Sequence, residues 1–163
     1  MLSKRNFGFT LVELLVVIAI LGLLSTLSFI SIDVAKKRAK DATRLADLKQ
    51  IQLALELYHE ENYTYPATLN VLLASGFMVA LPVPPSPSLQ ASYSYSALGM
   101  GSKCDNFHLG AVMEQDDLPA LNFDADTPAK TACDGSVADF DGNASDCAST
   151  NASSPDVCYD ISP

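Results

Sequence analysis

Several residue types are scarce in this chain, and each scarcity excludes something. There is no tryptophan, and only 2 histidines and 4 cysteines occur in 163 residues. No Cys-x-x-Cys pair exists and His108 is the one histidine near the cysteines, so a zinc site is disfavoured. His59 and His108 read as structural, because no nucleophile–base pair, phosphate loop or paired-carboxylate site surrounds them. The chain is therefore not read as an enzyme. Basic residues nearly vanish after residue 50, with 2 against 15 acidic ones, which argues against direct nucleic-acid binding. Proline is absent between Phe9 and Tyr65, and Gly22 is the sole glycine between Phe9 and Gly76, so little interrupts a helix there.

What is present is lopsided. Residues 1–50 carry 8 basic and 4 acidic side chains, and the longest apolar run lies in the first 32 residues. Leu14–Ile32 is uncharged and as a helix would span roughly 28 Å at about 1.5 Å per residue, close to a bilayer's hydrocarbon core. No small-residue cleavage site follows it, which disfavours an ordinary secretory signal. Glu13 sits among Phe9, Leu11, Val12, Leu14 and Leu15. A carboxylate inside a membrane helix costs about 2.5–3.5 kcal/mol on insertion scales, and so marks a function.

Gly8-Phe9-Thr10-Leu11-Val12-Glu13, with the basic leader Lys4-Arg5 before it and the apolar run after it, resembles the type III signal of type IV pilins and pseudopilins. The resemblance implies that a prepilin peptidase cuts after Gly8 and methylates the new amine of Phe9. It implies that Glu13 of an incoming subunit is attracted to the Phe9 amine of the previous one. Each charge alone is expensive in an apolar bundle, and pairing compensates both. The helix is also expected to loosen near Gly22 on entry into the filament. The partners implied are identical or related pilin subunits, the peptidase, the membrane assembly machinery and the cytoplasmic membrane. The head is expected outside the cytoplasm, and then in an extracytoplasmic or cell-surface filament.

The reading divides the chain into a cleaved leader at 1–8, a membrane and filament-core helix at 9–32, an amphipathic stalk helix at 33–65, and a small acidic head at 66–163. Leu45, Leu48, Ile51, Leu55 and Tyr58 recur at steps of three and four, one helix face. The basic cluster Lys36–Lys49 is read as a solvated face, or one that meets the acidic head of another subunit. Thr68–Phe77 predicts a short helix capped near Thr68 and ended by Gly76. Residues 81–88, with four prolines, form an extended linker. Ser92–Ser96 and Asn106–Met113 are strand candidates. The fold class is α+β, a long helix packed on a small antiparallel sheet with a long C-terminal loop region.

Cys104, Cys133, Cys147 and Cys158 all lie in the head, and an even count outside the cytoplasm suggests two disulfides. Three pairings are open; Cys104–Cys133 with Cys147–Cys158 is preferred because it closes sequential loops. Asp139, Asp141 and Asn143 place oxygens at alternate positions, as a Ca²⁺ loop does, although the EF-hand pattern is not met. Calcium also gains from the resemblance, because major pseudopilins hold Ca²⁺ in their C-terminal loops. A solvated acidic loop is the competing reading. For the whole chain the rival is a membrane-anchored extracytoplasmic binding module that does not polymerise.

Overall fold

The computed structural model describes residues 8–87 and 89–163, with side chains for all of these except 26–31. Lys4 and Arg5 of the leader and Ser88 of the linker lie outside the described residues. The chain divides into two compact units, Met1–Lys36 and Lys37–Pro163. Helix α1 runs Leu11–Asn62 without interruption, as the absence of proline requires.

In the first unit the apolar side chains from Leu11 to Leu24 stand exposed. Among the described residues no helix is long and apolar enough to cross a membrane. The run Leu14–Ile32, expected to span a bilayer, lies partly outside that description, since it includes the side chains of residues 26–31.

In the second unit α1 buries one stripe. Leu48, Ile51 and Leu55 are fully buried, Ala54 nearly so, and Leu45 and Tyr58 pack against them. These positions share a face because 3.6 residues make a turn. The helix stops where Tyr63 takes a positive φ of 56° and donates its N–H to the His59 carbonyl at 2.8 Å. Tyr65 then turns back, stacking on His59 with centroids 4.4 Å apart and meeting Phe107 edge-on at 4.9 Å.

Helix α2 is shorter than its sequence suggests, Asn70–Ala74. Leu69, not Thr68, occupies the N-cap and makes no side-chain capping bond. Gly76, at φ 80°, ends the helix, with Phe77 N–H returning to the Leu72 carbonyl at 2.9 Å.

The sheet has three antiparallel strands in the order β1 (Ser94–Met100), β2 (Lys103–Val112) and β3 (Cys158–Ile161). The third strand falls in a stretch whose sequence reads as loop. It is only four residues long, half polar, and forms because β2 offers it a partner. Phe107, Leu109 and Ala111 of β2, with Tyr95 and Ala97 of β1 and Ile161 of β3, face the helix stripe. The opposite face is also covered: Val112, Phe140, Cys147 and Cys158 form a second cluster over it. Gly110 makes this possible, because a Cβ there would stand 2.7 Å from the Phe140 ring. Burial on both faces explains why β2 lacks a clean period of two.

The basic cluster is not wholly a solvated face. Arg44 is completely buried, donating to Asp41 Oδ1 at 2.7 Å and to Glu114 Oε1 at 2.9 Å. Lys40 Nζ also reaches Glu114 Oε1, at 3.2 Å, and Asp41 Oδ1 accepts the Glu114 N–H at 2.9 Å. Arg44 is buried because Glu114, just beyond β2, meets it. A buried guanidinium needs such partners, and Arg44 Nε and Asp41 Oδ2 are left without one among the described residues. Burial pushes the Glu114 carboxyl up, but Arg44 and Lys40 outweigh this and hold it below its usual range.

Two disulfides join Cys104 to Cys133 and Cys147 to Cys158. The first ties the start of β2 to the following loop across 29 residues; the second anchors the C-terminal loop to β3 across 11. Loss of a native disulfide in a small secreted domain costs about 2–5 kcal/mol. Reductant should therefore lower the melting temperature of the protein markedly, and thiol labelling without reductant should find no free cysteine. Full labelling of all four under native conditions, or unchanged melting after reduction, would remove the disulfides from the stability argument.

Candidate functional site

Two groups of side chains carry the candidate chemistry, and each is taken by itself. The first is at the helix start. Gly8 and Phe9 precede α1; a Cβ at Gly8 would meet nothing within 4 Å, and Phe9 is 81% exposed. Thr10 caps the helix. Its backbone N–H donates to Glu13 Oε2 at 2.9 Å, its hydroxyl donates to the same oxygen at 2.8 Å, and the Glu13 N–H returns to Thr10 Oγ1 at 3.3 Å. This is the reciprocal capping box that Thr-x-x-Glu encodes, readable from Thr10 and Glu13 alone yet absent from the sequence reading. It gives Glu13 a local partner, while Oε1 makes no hydrogen bond among the described residues.

The second group lies under the C-terminal loop. Asp139 and Asp141, two of the three residues proposed for calcium with Asn143, are engaged by the protein's own groups. Asp139 Oδ1 faces His108 Nδ1 at 2.8 Å, and its Oδ2 accepts the Lys130 N–H at 2.8 Å. Asp141 Oδ1 instead accepts the Asn143 N–H at 3.0 Å, a local turn, and the Asn143 side chain is exposed.

His108 is fully buried, stacked on Phe140 at 3.9 Å, with Nε2 2.7 Å from Asp160 Oδ2. Burial alone would push its pKa down, but the hydrogen bonds and charges of Asp139 and Asp160 outweigh it and raise the pKa. With a carboxylate at each ring nitrogen, the surroundings favour the protonated ring, which can donate on both sides. Asp160 also accepts the N–H groups of Asp126 at 2.9 Å and Thr127 at 3.0 Å.

Beside Asp160 the acidic side chains that do converge are Asp124 and Asp126: ligand oxygens of the three lie within 4.8 Å of one another. Asp124 Oδ1 is buried with no hydrogen-bond partner among the described residues. Burial, then the charges of Asp160 and Asp126, push the Asp124 carboxyl up to about 7. Burial and neighbouring carboxylates also raise Asp126 and Asp156. An orphaned oxygen among mutually repelling carboxylates fits a hard divalent cation. Asp124 and Asp126 show the same alternation as Asp139 and Asp141. Their third member, Asp160, was hidden because it comes from β3, far along the chain.

Comparison with known proteins bears on the first group. Residues 3–29 match the prokaryotic N-terminal methylation motif. The type II secretion system core protein G of Pseudomonas aeruginosa is 32% identical over 127 residues, 68% of this chain and 87% of that protein. The protein of the same name from Klebsiella pneumoniae is 31% identical over 137 residues, covering 74% and 93%. The type IV wide pilus major component PilA4 of Thermus thermophilus is 36% identical over 69 residues, 42% and 53%. No solved structure matches. A long N-terminal helix behind a methylation motif, followed by a small α+β head, defines a structural filament subunit. The chain belongs to the family of type IV pilins and type II secretion pseudopilins.

The buried charges generate a prediction. His108→Ala should strand Asp139 and Asp160 as unpaired buried carboxylates, and breaking such a pair costs about 3–5 kcal/mol. Adding Asp139→Asn and Asp160→Asn should recover part of that loss in urea unfolding. A single variant as stable as the parent would show the ring's charge to be dispensable.

Proposed function

We propose that this chain is the major pseudopilin of a secretion-type filament, cut after Gly8, methylated at Phe9 and non-catalytic. The reading is carried by one conjunction: the cleavage motif stands at the head of a chain that aligns along 87% of a core protein G. Before assembly the apolar helix lies in the cytoplasmic membrane, single-pass, with the head outside. Its exposed side chains from Leu11 to Leu24 require lipid or neighbouring helices as cover. On assembly, Glu13 keeps Oε2 on its own helix start and offers Oε1 to the Phe9 amine of the preceding subunit. The capping box thus satisfies the carboxylate in the lone subunit and orients it for the charge pair. Partners are further copies, related subunits, the prepilin peptidase and the assembly machinery.

Mass spectrometry of membrane-extracted protein from its own host should find a methylated Phe9 at the N-terminus. Glu13→Ala should still be cut and should reduce filament yield. An intact Met1 start would sink the reading, and undiminished filaments from the variant would remove the charge pair from it.

The calcium expectation moves to Asp124, Asp126 and Asp160. The fit of their oxygens supports this, and the ion's contribution is to neutralise the cluster and order the loop around it. Ca²⁺ at about a hundredfold excess over Kd should stabilise the head by about 2.7 kcal/mol. Mg²⁺ should do less, since an irregular oxygen cage suits the larger ion. Asp124→Asn should abolish the response. Melting curves at matched ionic strength, superimposable with Ca²⁺ and with chelator, would leave an acidic surface and no metal.

A further inference from the structure

The free edge of the sheet is only half used. Along its second half, β1 is paired by the chain's own extended segment: Ala97 accepts the Cys133 N–H at 2.9 Å and donates to Ser136 Oγ at 2.8 Å. Gly99 donates to the Thr131 carbonyl at 3.2 Å, and Leu98 bridges to Ala132 in antiparallel sense. Because backbone groups alternate along a strand, Tyr95 presents its N–H and C=O to the same side as Ala97. There the covering segment has ended. The Tyr95 main-chain groups have no hydrogen-bond partner among the described residues, although the residue is only 7% exposed. Unpaired main-chain groups at such burial are uncommon and costly.

They open onto a cavity of about 480 Å³. Leu69, Leu81, Val137, Ala138 and Ala148 line it together with the polar Thr68, Asn70 and Ser92, Ala148 being held near the strand by the Ser94 hydroxyl's 2.7 Å bond to the Cys147 carbonyl. No charged side chain lines it. The slot thus combines an open β edge, a largely apolar, uncharged lining and a template, since the same edge already takes an extended polypeptide one step along.

The geometry points to a peptide-docking groove in which a short extended segment of a partner protein adds at Tyr93–Tyr95, at the start of β1, continuing the edge where residues 131–136 leave it. Main-chain hydrogen bonds to Tyr95 would supply the recognition, with alternate partner side chains against the lining. The occupant is neutral or basic. An acidic strand would meet no counter-charge in the slot and the repulsion of a region, residues 51–163, that holds 15 acidic against 2 basic residues.

The test uses the full chain in detergent micelles and a synthetic heptapeptide of alternating threonine and valine with a lysine at each end. The Tyr95 amide should exchange with deuterium freely in the unliganded protein and become protected, with saturation, as peptide is added. N-methylation of the valines, which removes hydrogen-bond donors along one edge, should weaken binding at least tenfold. Replacement of the terminal lysines by aspartates should also weaken it. Ala148→Trp, at an exposed position, should fill the slot and weaken binding at least tenfold with an unchanged melting temperature, and Ala138→Trp provides a second plug. No saturation with the parent peptide, or equal binding of the N-methylated one, would overturn the proposal. So would Tyr95 protection that rises with protein concentration alone and resists added peptide, since the occupant would then be a second copy of the chain.

Discussion

Strand β2 is buried on both faces, and the second burial sets the terms for the rest of the head. The helix stripe covers one face with aliphatic side chains, which is inexpensive. The other face is covered by a loop rich in aspartate, serine and alanine, which has little apolar area to contribute. What holds it is His108, enclosed by Asp139 from the loop and Asp160 from β3, with Phe140 stacked on the ring. A buried ion pair is stable only when each charge has its hydrogen bonds. Here the imidazole has two carboxylates, and those carboxylates are further satisfied by the N–H groups of Lys130, Asp126 and Thr127. The polar contacts also set the position of the loop, because each demands a direction as well as a distance.

A second buried charge cluster lies just beyond the end of β2. Arg44, wholly buried on the helix, is held by Asp41 on its own turn and by Glu114 beyond the strand. The helix is thus registered against the sheet by a charge cluster as well as by the stripe of Leu48, Ile51 and Leu55. A head this small cannot rely on apolar area alone. Two ion clusters and two disulfides, Cys104–Cys133 and Cys147–Cys158, make up the difference. One cost of the arrangement is the crowding at Asp124, Asp126 and Asp160, where satisfying His108 has brought like charges together.

At the N-terminus a different economy operates. Glu13 closes the first turn of its own helix through Thr10 with one carboxylate oxygen, Oε2, and in the proposed assembly the other oxygen meets a neighbour's amine. A carboxylate near a helix N-terminus is favoured by the helix dipole in any case. Local satisfaction and availability to a neighbour are therefore compatible in one residue.

The sequence by itself determined the elements whose signals are local. The motif at Gly8, Phe9 and Glu13 is contiguous, the proline-free stretch dictates one long helix, and the spacing of Leu45, Leu48, Ile51, Leu55 and Tyr58 marks its buried face. Helix and strand periods repeat within a few residues, so a linear reading captures them. The tertiary structure decided everything that depends on partners distant in the chain. Arg44 looks like a solvated cation until Glu114 arrives beside it, and Cys158–Ile161 becomes a strand only against the edge of β2. Asp139 and Asp141 resemble a cation loop in sequence, and in the fold the first faces His108 while the second closes a local turn. The convergent oxygens are those of Asp124, Asp126 and Asp160, because β3 carries the third carboxylate back across the sheet. Burial, charge pairing and ligand convergence are properties of neighbours in space, and no spacing along the chain encodes them.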